Sequence, residues 1–158
     1  MNCALDGKLT IKVTHIPYNG SSPALTSLMA NDTQLMIDGI STSLPLIKDN
    51  RVKALAVTTS KRLGVLPDVP TVAELGNSDY QASTWFGVAA PKGTPSEAVD
   101  KLRGAINKTL KDETFQKKFE SLGLYIQEPK SSKELVQFIN DDRARWKVVI
   151  EENQIVLE

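Results

Sequence analysis

The chain has 158 residues, of which 41% are hydrophobic, and this is sufficient for one packed core or for two small lobes. Nineteen basic and nineteen acidic residues leave no net charge, which argues against binding to nucleic acid or to an anionic membrane surface. The sequence contains no apolar run as long as a membrane-spanning helix, and it does not open with a secretory signal.

The sequence lacks the residue clusters that catalysis or metal binding requires. Cys3 is the only cysteine and His15 the only histidine, so an internal disulfide, a thiolate metal cage and a paired histidine site are all excluded. No nucleophile lies beside a base, and no acid/base pair is evident. We therefore expect neither a cofactor nor an enzymatic activity, and we expect His15 to be an ordinary strand histidine.

The first informative stretch is a predicted strand, turn and helix. Residues 11–16 alternate and include β-branched side chains, which predicts a strand that stops at Pro17. Ser21 or Ser22 is expected to cap the following helix, with Pro23 at its first position. The turn between strand and helix consists of Tyr18, Asn19 and Gly20.

The second stretch repeats this arrangement. Residues 34–37 are predicted to form a short apolar strand, and Asp38 and Gly39 form the turn that follows it. Ser41 or Thr42 is expected to open the next helix, which places Pro45 in the first turn, where a missing N–H is harmless.

Each turn is a candidate site for a small anion. The N-terminus of a helix presents free N–H groups and the positive end of the helix dipole, which favour carboxylates and phosphates. Each candidate also has an ordinary structural alternative, because Asn and Gly are common turn residues, Asp38 suits an Asx turn or a cap, and Ser41 suits an N-cap. The candidate ligand-binding residues are Tyr18, Asn19, Gly20, Asp38 and Ser41.

The middle of the chain continues the alternating pattern and then changes. Residues 52–58 are nearly all apolar and predict a buried parallel strand. Thr71 is expected to cap a short helix, with Glu74 at the capping-box position. Residues 80–90 have an aromatic-rich strand pattern, in which Trp85 and Phe86 are expected to pack in the core or between lobes.

The last part of the chain is predominantly helical. Helices are predicted over residues 96–110 and 113–122, and the second of them is stopped by Gly123. A short strand is predicted over residues 124–127. A long amphipathic helix follows, capped by Ser131 or Ser132.

The order of elements predicts an α/β fold with a βαβαβ portion followed by one strand and a helical tail. A sheet of few short strands makes a poor core. We therefore expect the tail to pack on a partner that is absent from the chain or on another copy of it.

Several of these segments resemble one receptor family. The segments PYNGSSPAL, QLMID, LPDVPTVAELG and STWFGVAAPKGTP are similar to the periplasmic solute-binding receptors of tripartite tricarboxylate transporters, often called Bug or TctC receptors. The resemblance covers nearly the whole chain but only the C-terminal half of the usual family length, so the sequence is expected to be truncated. Gly39 stands where some members have Asn.

The resemblance implies a type II periplasmic-binding-protein fold, in which two α/β lobes close on a small carboxylate metabolite. Residues 1–82 would form part of the second lobe, and residues 83–158 a crossing strand and the C-terminal helical part of the first. By the same resemblance Tyr18, Asn19 and Gly20 lie on the cleft-facing loop of the second lobe, and Asp38 and Ser41 lie at the neighbouring strand end. The implied partners are an organic acid or amino acid and the membrane transporter subunits, and the implied localisation is the periplasm.

Two rival functions stay open at this point. An enzyme on a similar core would require a titratable pair in the cleft. A truncated module that folds by self-association, as a homodimer, and binds nothing is the other alternative.

Overall fold

A computed structural model describes residues 2–5, 9–76, 78, 80–127, 131–152 and 154–155. The chain divides into two compact units, Met1–Ile126 and Gln127–Glu158. The described elements are β1 (Asn2–Leu5), β2 (Leu9–Lys12), α1 (Ser21–Met29), α2 (Ile40–Lys48), α3 (Ser96–Leu110), α4 (Glu113–Ser121) and α5 (Ser132–Glu152).

The first unit opens with an antiparallel hairpin. β1 pairs with β2 in a register that sets Asn2 opposite Lys12 and Leu5 opposite Leu9. The predicted strand over residues 11–16 is therefore displaced, because regular pairing ends at Lys12 and the backbone continues without a ladder to the turn before α1.

Glycines, and not the predicted serines or threonines, occupy the N-cap positions of the next two helices. Gly20 precedes α1 with φ 108° and ψ 175°, a conformation that is readily available only to glycine. Gly39 precedes α2, and neither helix has a side-chain cap. The predicted caps at Ser21 or Ser22 and at Ser41 or Thr42 were wrong, because each helix begins earlier than expected.

The earlier start of α2 also changes the position of its proline. Pro45 is the sixth residue of this nine-residue helix and lies in its interior. The prediction that it falls in the first turn was wrong, and one backbone hydrogen bond of the helix is missing as a result.

Other predicted strands are extended without being paired. Within the described residues, segments 34–37, 80–90 and 124–127 belong to no ladder, and segment 52–58 contributes only an isolated parallel bridge between Val57 and Thr71. A strand requires a neighbour about 4.8 Å away to satisfy its N–H and C=O groups. These sequences have strand composition, but among the described residues they form no continuous ladder. Segments 80–90 and 52–58 are joined by one backbone hydrogen bond, which the Ala82 N–H donates to the Thr58 carbonyl at 2.9 Å.

The buried side chains of the described residues lie around α1, α2 and the segment after them. Leu25 and Leu44 are buried on α1 and α2, while Val57, Leu63 and Thr71 are buried in the segment that follows. The helix predicted at Thr71 is a series of turns instead.

The capping box predicted within this segment does form. The Thr71 N–H donates to Glu74 Oε2 at 2.7 Å, and the Glu74 N–H donates to Thr71 Oγ1 at 3.0 Å. Arg62 Nε lies 2.9 Å from the same Glu74 oxygen, and Arg62 Nη1 donates to the Pro67 carbonyl at 3.1 Å. Side-chain hydrogen bonds from Arg62, Thr71 and Glu74 thus hold this segment in place.

The two helices at the end of the first unit match their predictions. α3 has the predicted bounds, and α4 ends one residue earlier than predicted. Asp112 caps α4 by accepting a hydrogen bond from the Phe115 N–H at 2.8 Å, and Phe115 stacks on Phe119 with ring centroids 4.5 Å apart. Gly123 ends the turn after α4 with φ 76°.

The second unit consists mainly of α5. Ser131 precedes this helix and makes the predicted cap, since its N–H donates to Glu134 Oε2 at 2.8 Å and its hydroxyl accepts from the Glu134 N–H at 3.3 Å. No described side chain of α5 is buried. Among the described residues, no helix is both long and apolar enough to cross a membrane.

Candidate functional site

The carboxylate of Asp38 joins the N-termini of α1 and α2. Its Oδ1 accepts a hydrogen bond from Ser21 Oγ, the first residue of α1, at 2.6 Å. Its Oδ2 accepts one from Thr42 Oγ1, in the first turn of α2, at 2.6 Å. The two helices therefore begin within the span of one carboxylate, and the half-buried Asp38 fixes this arrangement.

The carboxylate of Asp38 lies beside two helix N-termini. The first N–H groups of each helix carry the positive end of the helix dipole, and neither α1 nor α2 has a side-chain cap. The Asp38 carboxylate therefore places a negative charge beside the positive ends of both helix dipoles. The Thr42 hydroxyl also lies 2.7 Å from the Gly39 carbonyl oxygen, so it is held on two sides.

Tyr18 is engaged with α1. Its hydroxyl donates to Ser27 Oγ at 2.6 Å, and Ser27 is itself buried with its Oγ 3.3 Å from Thr33 Oγ1. The Tyr18 carbonyl accepts from the Gly20 N–H at 2.8 Å, which closes the turn. The Tyr18 hydroxyl thus serves to hold the turn against α1.

Asn19 and Ser41 are the candidate residues with uncommitted polar side chains. Both are exposed, and neither side chain hydrogen-bonds to another residue in the part of the chain that the structure describes. Asn19 lies two residues before Ser21, and Ser41 directly precedes Thr42. Each therefore adjoins, along the chain, a residue that contacts Asp38.

The structure brings the two predicted turns together through Asp38 and two donors that the sequence analysis did not select as ligand-binding. Ser21 and Thr42 were considered only as caps, whereas both donate to Asp38. The four-residue spacing from Asp38 to Thr42 was an available signal, because an Asp just before a helix reaches the first turn of that helix. The contact to Ser21 depends on how two helices pack, so the sequence carried no local signal for it.

Two concave regions of the described surface lie away from the candidate residues. One cavity of about 360 Å³ is lined by Lys108, Asp112 and Phe115, and another of about 400 Å³ by Gly64, Lys117 and Tyr125. Neither includes a candidate residue. Among the described residues, no group of three potential ligands is placed to hold a metal ion.

Comparison with protein families gives a match over nearly the whole chain. The family described as the tripartite tricarboxylate transporter family receptor matches residues 2–155. An Agrobacterium vitis relative, the UPF0065 protein in the TAR-I ttuE-ttuC' intergenic region, is 43% identical over 119 residues, which are 75% of this chain and 34% of the relative. Protein BugT of Bordetella pertussis is 34% identical over 89% of this chain and 43% of its own. The chain thus spans less than half the length of these relatives.

Three solved structures give the same result. R. palustris Rpa4515 with adipate is 33% identical with a TM-score of 0.82, and the match covers 89% of this chain and 47% of that one. The periplasmic binding protein BugD is 32% identical with a TM-score of 0.77, over 90% and 48%. MatC (Rpa3494) from Rhodopseudomonas palustris with bound malate is 32% identical with a TM-score of 0.77, over 89% and 48%. These matches confirm the predicted fold class, a partial fold of the periplasmic-binding-protein type.

Proposed function

The chain belongs to the tripartite tricarboxylate transporter receptor family, and from this premise we propose that it supplies one wall of a binding site for a small carboxylate metabolite. The family is one of receptors and not of enzymes, as the absence of a catalytic cluster in the sequence predicted. The proposed ligand-binding residues are Tyr18, Asn19, Gly20, Asp38 and Ser41.

The observation that supports this site best is the junction at Asp38. Two helix N-termini are held together by Ser21 and Thr42, and the exposed polar side chains of Asn19 and Ser41 adjoin that junction. Groups of this kind, with backbone N–H donors at a helix start, are what a carboxylate needs as partners.

The five residues take different roles in this proposal. An anionic ligand is repelled by Asp38 directly, so its carboxylate is received by the Asn19 amide, the Ser41 hydroxyl and the nearby N–H groups. Each Asp38 oxygen retains acceptor capacity beyond its one hydroxyl donor, so it accepts from a ligand hydroxyl or ammonium group, or from a bridging water. Tyr18 and Gly20 shape the turn that carries Asn19.

The ligand class follows from the same relatives. Similar proteins were solved with adipate and with malate, both of them dicarboxylates. We propose a small dicarboxylate for this chain, and a hydroxylated one such as malate makes use of the acceptor at Asp38. The finer choice depends on both walls of a cleft.

A free-energy comparison sets the expected affinity. Micromolar binding requires about 8 kcal/mol, whereas a helix N-terminus contributes about 0.3–2 kcal/mol and a charge-assisted hydrogen bond about 1.5–3 kcal/mol. If the described wall supplies half of the total, the expected Kd of the chain alone is about millimolar.

The wider setting of the chain is proposed from its family. The partners are the membrane subunits of the transporter, and the compartment is the periplasm, as for the BugD structure. The division into lobes at residues 1–82 and 83–158 also remains a proposal.

The test is a thermal-shift and calorimetric titration of the chain with malate, adipate and acetate at up to about 100 mM, which is about 100 times the expected Kd. Ligand at about 100 times its Kd adds about 2.7 kcal/mol of stability, so we expect the melting temperature to rise with both dicarboxylates and not with acetate. A melting temperature that is unchanged by either dicarboxylate contradicts the proposal for this chain.

Ligand binding by matched variants tests which residues belong to the site. Ser41→Ala and Asn19→Ala are expected to weaken binding of both diacids, and Asp38→Asn to change the preference for malate over adipate. Asp68→Asn is the control, because Asp68 is an exposed loop aspartate outside the site. An equal effect of the control and Ser41→Ala would remove Ser41 from the site.

A module that folds by self-association is the second candidate, and exposed apolar side chains favour it. Phe86 and Val88 expose 85% and 81% of their surface, and Ile37 exposes 78%, which is unusual without a covering partner. Light scattering with and without malate separates the candidates. A stable dimer without any ligand response supports the second.

A further inference from the structure

The turn after α4, residues 123–125, contacts the first residue of α2, although the two are far apart in the sequence. A Cβ atom built on Gly123 would lie 2.7 Å from Ile40 Cγ1 and 3.0 Å from Ile40 Cγ2. Real Cβ atoms do not approach other carbons so closely in a packed interior. The buried backbone of Gly123 therefore packs directly against the Ile40 side chain, in a space that only glycine fits.

The same turn contacts the segment that carries the buried Leu63. The Gly64 N–H donates a hydrogen bond to Tyr125 Oη at 2.7 Å. The Cβ built on Gly123 would also lie 3.2 Å from Val65 Cγ2. Residues 123–125 are thus held on one side by the segment after α2 and on the other by the start of α2 itself.

We propose that residues 123–125 are a positioning element that fixes the N-terminus of α2 and, through it, the candidate site. Ile40 stands between Asp38 and Ser41 in the chain, so a displacement of Ile40 moves both of those residues. The hydrogen bonds from Ser21 and Thr42 to Asp38 have a fixed geometry of 2.6 Å each, which a shifted α2 cannot keep. An effect on ligand affinity presupposes the proposed function, whereas an effect on the backbone of α2 does not.

The test is Gly123→Ala, with two readouts. Its Cβ must displace Ile40, because overpacking a close contact forces neighbours to move. The Thr42 and Ser43 amides, which bond to the Gly39 carbonyl at 3.2 Å and 3.4 Å, are then expected to exchange hydrogen about tenfold faster. The affinity for malate is expected to fall about fivefold or more.

The matched control is Gly93→Ala. Gly93 also has a left-handed φ, 89°, but a Cβ there meets nothing within 4 Å. It therefore carries the same type of backbone strain without the contact to Ile40. Exchange at Thr42 and Ser43 is expected to remain as in the unmodified chain.

Two further variants keep the outcome decisive. Ile40→Ala removes both carbons that the new Cβ would meet, so the Gly123→Ala/Ile40→Ala double variant is expected to be less perturbed than the two single changes added together. Tyr125→Phe removes only the acceptor of the Gly64 N–H. If Gly123→Ala does not fold, this variant tests the positioning element in its place.

Each result decides part of the proposal. Unchanged exchange at Thr42 and Ser43 in both Gly123→Ala and Tyr125→Phe overturns the positioning element. Faster exchange with unaltered malate affinity overturns its link to the site. If the unmodified chain binds neither malate nor adipate, the proposed function fails, while the exchange data still decide whether residues 123–125 hold α2.

Discussion

Residues 20–76 and residues 80–110, which lie in the same compact unit, are stabilised in different ways. All buried apolar side chains among the described residues lie in the first region: Leu25, Leu44, Val57 and Leu63. The second region buries none of its described side chains, and its most exposed large residues, Phe86 and Val88, lie in an unpaired extended segment. The first region also carries the hydrogen bonds of Asp38 and the capping box at Thr71.

The difference shows which segments are stabilised by contacts within their own region and which depend on contacts to other parts of the protein. Most side-chain hydrogen bonds of residues 20–76 are made within the region, such as Ser21 with Asp38 and Arg62 with Glu74. Residues 80–90 have the composition of a strand but require a neighbour from elsewhere. Mutations should therefore be costly in the first region and mild in the second.

The largest effect is expected from Leu44→Ala. Leu44 is 4% exposed on α2, and emptying a buried leucine site costs about 2–5 kcal/mol. Leu102→Ala on α3 is the matched change, since Leu102 is 56% exposed, and it should cost less than about 1 kcal/mol. Urea unfolding measures both. Equal losses would refute the contrast between the regions.

The next effect is expected from Asp38→Asn. The neutral amide loses the charge that accepts from Ser21 and Thr42 and that compensates two helix N-termini. Hydrogen bonds to a charged group contribute about 1.5–3 kcal/mol, so a destabilisation of that order is expected in urea unfolding. Asp68→Asn should stay within about 0.5 kcal/mol. If the two changes have the same effect, Asp38 does not hold the helices together.

A smaller loss of stability is expected when either of the two capping boxes is broken, one buried and one exposed. Thr71→Val keeps the volume of a side chain that is 2% exposed, but it leaves the Glu74 N–H without its acceptor. We expect a loss of about 1–2 kcal/mol. Ser131→Ala breaks the exposed box before α5 and should cost about 0.5–1 kcal/mol. Thermal unfolding followed by circular dichroism measures both, and a larger loss for Ser131→Ala would contradict the role given to burial.

The smallest effect concerns pH. The hydrogen bond from Arg62, and next the one from the Thr71 N–H, lower the pKa of Glu74 below its ordinary value of 4.5. A carboxyl with a lowered pKa stabilises the folded state above pH 4.5, and that contribution is lost as the pH falls through the folded-state pKa. Both side chains are about half exposed, so the change is small.

The measurement is the urea midpoint between pH 3 and pH 7, compared with that of Glu74→Gln. The variant is expected to lack the part of the acid destabilisation that arises from Glu74. A pH dependence that is identical in the two proteins would contradict this assignment.

The sequence predicted local features well. The bounds of α3 and the cap of α5 at Ser131 follow from side-chain spacing and from contacts three residues apart, and both were confirmed. The fold class was predicted from short motifs and confirmed by the solved relatives.

The sequence predicted non-local features poorly. The strands at residues 34–37 and 80–90 were wrong because a ladder is a property of two segments, and composition reports on only one. The predicted caps of α1 and α2 were wrong because the preceding turns end at Gly20 and Gly39, earlier than the serine and threonine residues indicated. Asp38 was predicted as a ligand-binding residue, and this stays a prediction; its contact to Ser21 was not predicted, because it depends on the packing of two helices.

Pro45 has a consequence for how α2 is held. Because Pro45 has no N–H, the Ser41 carbonyl four residues earlier lacks its donor inside the helix, and the proline ring crowds that carbonyl. The first turn of α2 is therefore joined to the rest of the helix by fewer hydrogen bonds than in an uninterrupted helix. The position of Ser41 in that turn thus depends more on contacts from outside the helix, those made by Asp38 and by Gly123.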